Sequence, residues 1–205
     1  VYLNRFAVRA GENIVIATNN DSAYAGAFEL AQAGASIQIL DARTSIPDAI
    51  RAQAADAHAA LRTGAAPLMA HGAKGITALD IAEQHAANWR EAGKTDCDLL
   101  LVSGGWSPVV NLLSHRGVKP VWDADLACFV PGQTNEPLSM AGSAAGIWND
   151  NACLLSGQAA AERAVAHLGG AQGSSAAPAP GGWQGAITPL YEVKVPGRQL
   201  KSFVD

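Results

Sequence analysis

Between Asn13 and Arg43 the chain reads NIVIATNNDSAYAGAFELAQAGASIQILDAR, and this stretch restricts the fold more than any other. Asn13 to Thr18 is β-branched and apolar, the pattern of a strand buried on both faces of a parallel sheet. Ser22 suits the N-cap of a helix running to about Ala33, which Gly34 ends. Ser36 to Leu40 is a second short apolar strand. Strand, turn, helix and strand in this order make a βαβ unit, so an α/β fold with a parallel sheet follows.

In βαβ units that cradle a dinucleotide, the turn after the first strand carries G-x-G-x-x-G/A, and the glycines let the backbone approach a pyrophosphate at the helix N-terminus. Thr18, Asn20 and Ala23 hold those places here. Ala fits the last of them, and Asn tolerates a positive φ better than other non-glycine residues. Neither Thr18 nor Asn20 lets a phosphate approach as glycine would. The turn Thr18, Asn19, Asn20, Asp21 and Ser22 is therefore a candidate cofactor contact with a damaged fingerprint. Asp41 closes the second strand 18 positions after Ala23, near the place where an acid accepts hydrogen bonds from ribose hydroxyls. An acid there favours NAD over NADP, because it would repel a 2′-phosphate; Arg43 softens that preference. The alternative role for Asp41 is a cap on the segment leading into Pro47.

Frequent alanine from Pro47 to about Leu61 predicts a helix, closed by Gly64 and Pro67. Apolar stretches at Leu68 to His71, Ile76 to Ala82 and Leu99 to Val102 predict a third parallel strand, a small β-meander and a final strand. That strand ends in Ser103, Gly104, Gly105 and Trp106, where two glycines at the carboxyl end of a strand permit close approach of a nucleotide. A plain turn explains the same residues. Leu138 to Gly142 is strand-like and enters the small-residue turn at Ser143, followed by a helix from about Asp150 to Leu168. Backbone N–H groups at such a turn suit an anion, and a tight packing turn suits the spacing equally. Asn149, Asp150 and Asn151 suit helix capping. GGAQGSSAAPAPGG, residues 169–182, is a linker by composition, and residues 183–205 begin a further module.

A net charge of −4 without a clustered basic stripe argues against a nucleic-acid partner. No apolar run has the roughly 18 to 20 residues of a membrane span, and the first residues lack the features of a signal peptide. Cys97, Cys128 and Cys153 are scattered and odd in number, which speaks for a reduced, cytoplasmic compartment and against a disulfide framework or zinc site. The five histidines have no i, i+4 ligand partner and read as surface or capping residues, so no metal is expected. SGGWSP is not the G-x-S-x-G elbow of a hydrolase. Trp106, Trp122 and Trp148 suit ring stacking, burial or a subunit interface. Val1 opens without an initiator Met and LKSFVD stops in an apolar run, so the chain is expected to be an internal piece of a longer one.

YLNRFAVRAGENIVIATNNDSAYAGAFELAQAGA, CDLLLVSGGWSPVVNLLSHRGVKPVWD, MAGSAAG and KSFVD together resemble the α subunits of heterotetrameric sarcosine oxidases. The resemblance runs over nearly the whole chain and is weakest in residues 64–94 and the linker. It implies a plan like that of flavin disulfide reductases, in which a second nucleotide domain is inserted into the first. Residues 1–102 are then the inserted Rossmann-like domain, and residues 103–168 the returning part of the first nucleotide-binding domain. Upstream the family carries a ferredoxin-like segment and an intact glycine turn, and downstream a folate-binding domain that would take tetrahydrofolate.

Related flavoproteins end the returning strand in Gly-Asp, whose acid holds the ribityl chain of FAD; Gly142 and Ser143 stand here. The resemblance therefore implies NAD in this subunit, against Gly104, Gly105, Gly142 and Ser143, with FAD in the β subunit and FMN at the α/β interface. It implies β, γ and δ partner subunits and oxidative demethylation of sarcosine to glycine, formaldehyde and hydrogen peroxide. No catalytic residue is expected within this chain. The competing expectations are a nicotinamide- or flavin-dependent amine or opine dehydrogenase, which needs a working site at Thr18 to Ala23 and Asp41, and a non-catalytic scaffold.

Overall fold

A computed structural model of the chain describes residues 1–86, 88–134, 137–171, 173–179, 185 and 187–197. The motif KSFVD lies outside them. The chain forms two compact units, one comprising residues 1–105 and the segment from Thr188, the other Trp106–Ile187.

In the first unit a short helix α1 (Tyr2–Phe6) precedes the βαβ unit of β1 (Asn13–Thr18), α2 (Ser22–Gln32) and β2 (Ser36–Asp41). Helix α3 (Asp48–Asp56) leads to β3 (Ala60–Thr63). A three-stranded meander of β4 (Ala65–His71), β5 (Ala78–His85) and β6 (Asn88–Asp96) follows, and β7 (Leu99–Ser103) returns to the first sheet. The parallel sheet has the order β3-β2-β1-β7, and the meander is antiparallel.

Strand alternation sorts the core into two layers, because successive side chains leave a strand on opposite faces. Ile14, Ile16, Ile37 and Ile39 pack with Tyr24 and Ala27 of α2 on one face. Val15 and Leu40 pack with Ala65, Leu79, Ile81 and Cys97 of the meander side on the other. The sheet is thus covered on both faces, as parallel sheets require. Asp98 anchors the opposite end of the sheet, its carboxylate accepting from the backbone N–H groups of Glu12 (2.8 Å) and Asn13 (3.0 Å).

The third parallel strand comes from Ala60–Thr63, which begins at the end of the stretch expected to be helix, while Leu68 to His71 belongs to the meander. Alanine favours a helix only weakly, and tertiary pairing overrides it. His58 takes a left-handed φ of 54° that breaks the helix, and Ala59 and Leu61 then enter the core beneath the sheet.

The second unit holds α4 (Asn111–Ser114), an antiparallel pair of β8 (Val121–Asp123) and β9 (Cys128–Val130), a 3-10 turn at Gly142–Ala145 and α5 (Asp150–His167). Leu126, Cys128 and Trp148 form its small core. Trp148 is buried, whereas Trp106 and Trp122 are about half exposed. Asn149 caps α5, its Oδ1 accepting from Ala152 N–H at 3.1 Å, as its position before the helix suggested. Leu138 to Ala141 is not a strand; no strand among the described residues pairs with it. The described linker residues have no regular element, but Ser175 is tied to Glu162 of α5 by its N–H (2.9 Å) and its hydroxyl (2.8 Å). No helix among the described residues is long and apolar enough to cross a membrane.

Candidate functional site

Sheet register places Thr18 beside both Asp41 and Ser103, so three expected site residues from separate strands share one row at the carboxyl edge. Between β1 and β7 the strand order reverses, which is where open α/β sheets form their ligand crevice. The turn after β1 is built without glycine and without strain, for none of Thr18 to Ser22 has a positive φ. Its conformation is held by side chains. Thr18 Oγ1 accepts from Asn20 N–H at 3.3 Å and donates to the Asn20 carbonyl at 3.0 Å. The fully buried Asn20 turns its amide inward: Oδ1 accepts from Ser22 N–H at 2.9 Å, and Nδ2 donates to Asn19 Oδ1 at 2.9 Å and to the Ser103 carbonyl at 3.3 Å. An amide oxygen therefore takes the first N–H of α2, that of Ser22, while Asp21 and not Ser22 holds the N-cap position, at the place where a dinucleotide fold presents N–H groups to phosphate. Ser22 Oγ and Ser103 Oγ lie 3.4 Å apart, joining the ends of the two strands.

Asp41 is fully buried, and its carboxylate serves the protein itself. Oδ1 accepts from Arg43 N–H (2.9 Å) and Nε (3.0 Å), and Oδ2 accepts from Arg43 Nη2 (2.7 Å) and the Tyr24 hydroxyl (2.7 Å). Arg43 extends through Nη1 to Asp21 Oδ1 at 2.7 Å. Burial draws the Arg43 guanidinium's pKa down, but the hydrogen bonds to Asp41 and Asp21 more than offset this and hold it above its ordinary value. Asp21, Arg43, Asp41 and Tyr24 thus link the turn, the end of β2 and helix α2. Sequence reading singled out Asp41 and Asp21 but not their joining through Arg43. The available signal was spacing, since an Asp side chain readily accepts from the backbone N–H two residues on, as Asp41 does from Arg43 just past the end of β2.

Burial raises the Tyr24 phenol's pKa, and the hydrogen bond to Asp41 and that carboxylate's charge raise it further. The folded state therefore holds a proton that the unfolded chain releases near pH 10. Stability is full below that pH and falls as pH rises through and beyond it. Tyr24→Phe is expected to cost about 1 kcal/mol at neutral pH and to flatten this alkaline loss. Urea unfolding at pH 7 and pH 11 checks both.

Beside the turn, Ala17, Leu40, Ala42, Ala65 and Ala66 floor a cleft of about 200 Å³, with Thr18, Asn19, Ser103 and Gly104 on its polar side. Leu190, Tyr191, Glu192 and Val193 form the remaining wall. Pockets for small molecules usually span about 300–1,000 Å³, so this space is small for a dinucleotide.

Of the other expected contacts, Gly105 belongs to the first unit, with φ 103°, and Trp106, Gly142 and Ser143 to the second. Gly142 N–H donates to Ser156 Oγ of α5 at 3.1 Å. The buried thiols of Cys97 and Cys128 have pKa values pushed up, first by burial and then by nearby carboxylates. Cys153 is only partly buried, and its thiol donates to the Ile147 carbonyl at 3.0 Å. A disulfide reagent at pH 8 is expected to label Cys153 first, and Cys97 and Cys128 only as the chain unfolds. No group of three or more potential metal ligands occurs among the described residues.

A β3-β2-β1-β7 parallel sheet completed through an antiparallel meander is a fold that solved flavoprotein reductases share. Structures of this fold include T. acidophilum thioredoxin reductase (TM-score 0.55, 13% identity, 80% of this chain and 54% of that one). Bacillithiol disulfide reductase from Staphylococcus aureus is similar (TM-score 0.55, 15% identity, 77% and 50%), as is a ferredoxin reductase from Rhodopseudomonas palustris (TM-score 0.53, 13% identity, 82% and 43%). By sequence the chain belongs to the family of sarcosine oxidase α subunits. It is 38% identical over 190 residues to that of Corynebacterium sp. strain P-1, and 33% identical over 208 residues to that of Rhizobium meliloti strain 1021. These alignments take in 88% and 100% of the chain but only 19% and 20% of the relatives, so the chain spans about one fifth of their length. No protein-family model matches it.

Proposed function

We propose that this chain is the dinucleotide-domain region of an enzyme that oxidatively demethylates sarcosine to glycine and formaldehyde, reducing oxygen to hydrogen peroxide, and that its first unit no longer takes a nucleotide. Membership of the family supports the reaction. The closed turn supports the second part. A dinucleotide there would need open N–H groups at the start of α2 and an open acceptor at the end of β2. Asn20 Oδ1 caps Ser22 N–H, and four donor contacts from Arg43 and Tyr24 surround the Asp41 carboxylate. The residues of this unit do not fit NAD.

On this reading the first unit is a scaffold within the subunit. NAD is bound by the other dinucleotide domain, to which Gly142 and Ser143 contribute. FAD and FMN act outside this region, and the β, γ and δ subunits together with a tetrahydrofolate-binding domain complete the enzyme.

Calorimetric titration of NAD into the chain, with FAD and NADP as controls, is expected to give no saturable heat. Micromolar NAD binding that Asp41→Ala abolishes would overturn the closed-turn reading. An assembled enzyme containing this subunit is expected to release formaldehyde and hydrogen peroxide from sarcosine in equal amounts, and the chain alone neither. Turnover by the chain alone would refute its role as a scaffold.

A further inference from the structure

We infer that the crevice at the carboxyl ends of β1 and β7 is a docking groove for an extended peptide, and that its occupant is the chain's own segment Thr188–Val195. The inference rests on the reading that this unit takes no nucleotide, and it names what occupies the place instead. The segment enters through two bonds to Asn19, one from the backbone and one from the side chain: Thr188 N–H donates to the Asn19 carbonyl at 3.2 Å, and Asn19 Nδ2 donates to the Thr188 carbonyl at 2.9 Å. Asn19 is itself buried, so its amide is aimed by the turn rather than free to choose a partner. This explains an asparagine where a glycine fingerprint would have a variable position.

Beyond Thr188 the anchoring is apolar. Leu190, Val193 and Val195 pack against Ala42, Ala66, Ala82 and Trp89, while Tyr191 between them is 77% exposed. Val193 and Val195 have the i, i+2 spacing that puts side chains on one side of an extended chain. The floor of alanines leaves room for these larger side chains, in the way that recognition of an added extended segment combines main-chain bonds with side-chain pockets. The seated segment walls the cleft containing Thr18, Ser103 and Gly104. The segment thus forms one side of the space that a dinucleotide at this turn would need.

Hydrogen exchange of the full chain tests the groove. The Thr188 amide is expected to exchange at least tenfold more slowly than the amides of Ala176, Ala177 and Ala179. In the Leu190→Asp/Val193→Asp variant that protection is expected to vanish, while amides of Ile16 and Leu101 in β1 and β7 keep theirs within about twofold. Asn19→Ala, a milder change, is expected to lower the Thr188 protection severalfold. Fast exchange at Thr188 in the parent chain, or protection unchanged in a double variant with intact β1 and β7, would overturn the inference. The NAD titration separates the two claims: a protected Thr188 in a chain that binds NAD at the turn keeps the groove and sinks the closed-turn reading.

Discussion

Asp41→Ala is expected to destabilise the first unit by about 3–5 kcal/mol, the usual cost of removing one partner from a buried ion pair. Arg43, 6% exposed, would lose the carboxylate that accepts from its N–H, Nε and Nη2, and the Tyr24 hydroxyl would lose its acceptor. At about 2–4 °C per kcal/mol for a chain of this size, the first unit's melting temperature should fall by roughly 10 °C. Thermal unfolding followed by circular dichroism reads this directly. A ribose-binding Asp41 predicts the opposite pattern: stability nearly unchanged and NAD affinity lost. Asp41→Asn is a useful companion, since it keeps the shape and removes the charge. It should be destabilising as well, because an amide cannot supply acceptors on both sides to the guanidinium fork.

Asn20→Ala should come next, at about 2–4 kcal/mol. It removes the cap on Ser22 N–H, an effect of about 1 kcal/mol. It also leaves the Ser103 carbonyl and Asn19 Oδ1 without the Asn20 Nδ2 donor inside a buried turn, at about 1–3 kcal/mol. Asn20→Gly restores a fingerprint glycine and should be no more stable, because the turn has no positive φ that would benefit from it. Chemical denaturation of both variants checks the order. An Asn20→Gly chain that gained stability would show that the amide network is not what holds the turn.

Both expectations concern positions that the sequence marked and whose roles it left open. Thr18, Asp41 and Ser103 were legible as strand ends because apolar runs stop at each, and the parallel register brought them into one row. The turn was legible as damaged because glycine is missing. That Asn20 points inward was not, since an asparagine side chain finds its donors and acceptors only once Ser103, 83 residues away, is beside it.

The sequence by itself determined the βαβ unit, the doubly covered sheet, the meander before the last strand and the family. Each rests on local periodicity or on long runs of matching residues. Tertiary structure alone decided three things: that Ala60–Thr63 pairs with β2 instead of extending a helix, that Arg43 clamps Asp41 to Asp21, and that Thr188–Val195 returns to Asn19. The physical reason is common to all three. Alanine and the polar side chains involved have weak local preferences, so burial and partners brought close by the fold choose among states that nearby sequence leaves nearly equal in energy.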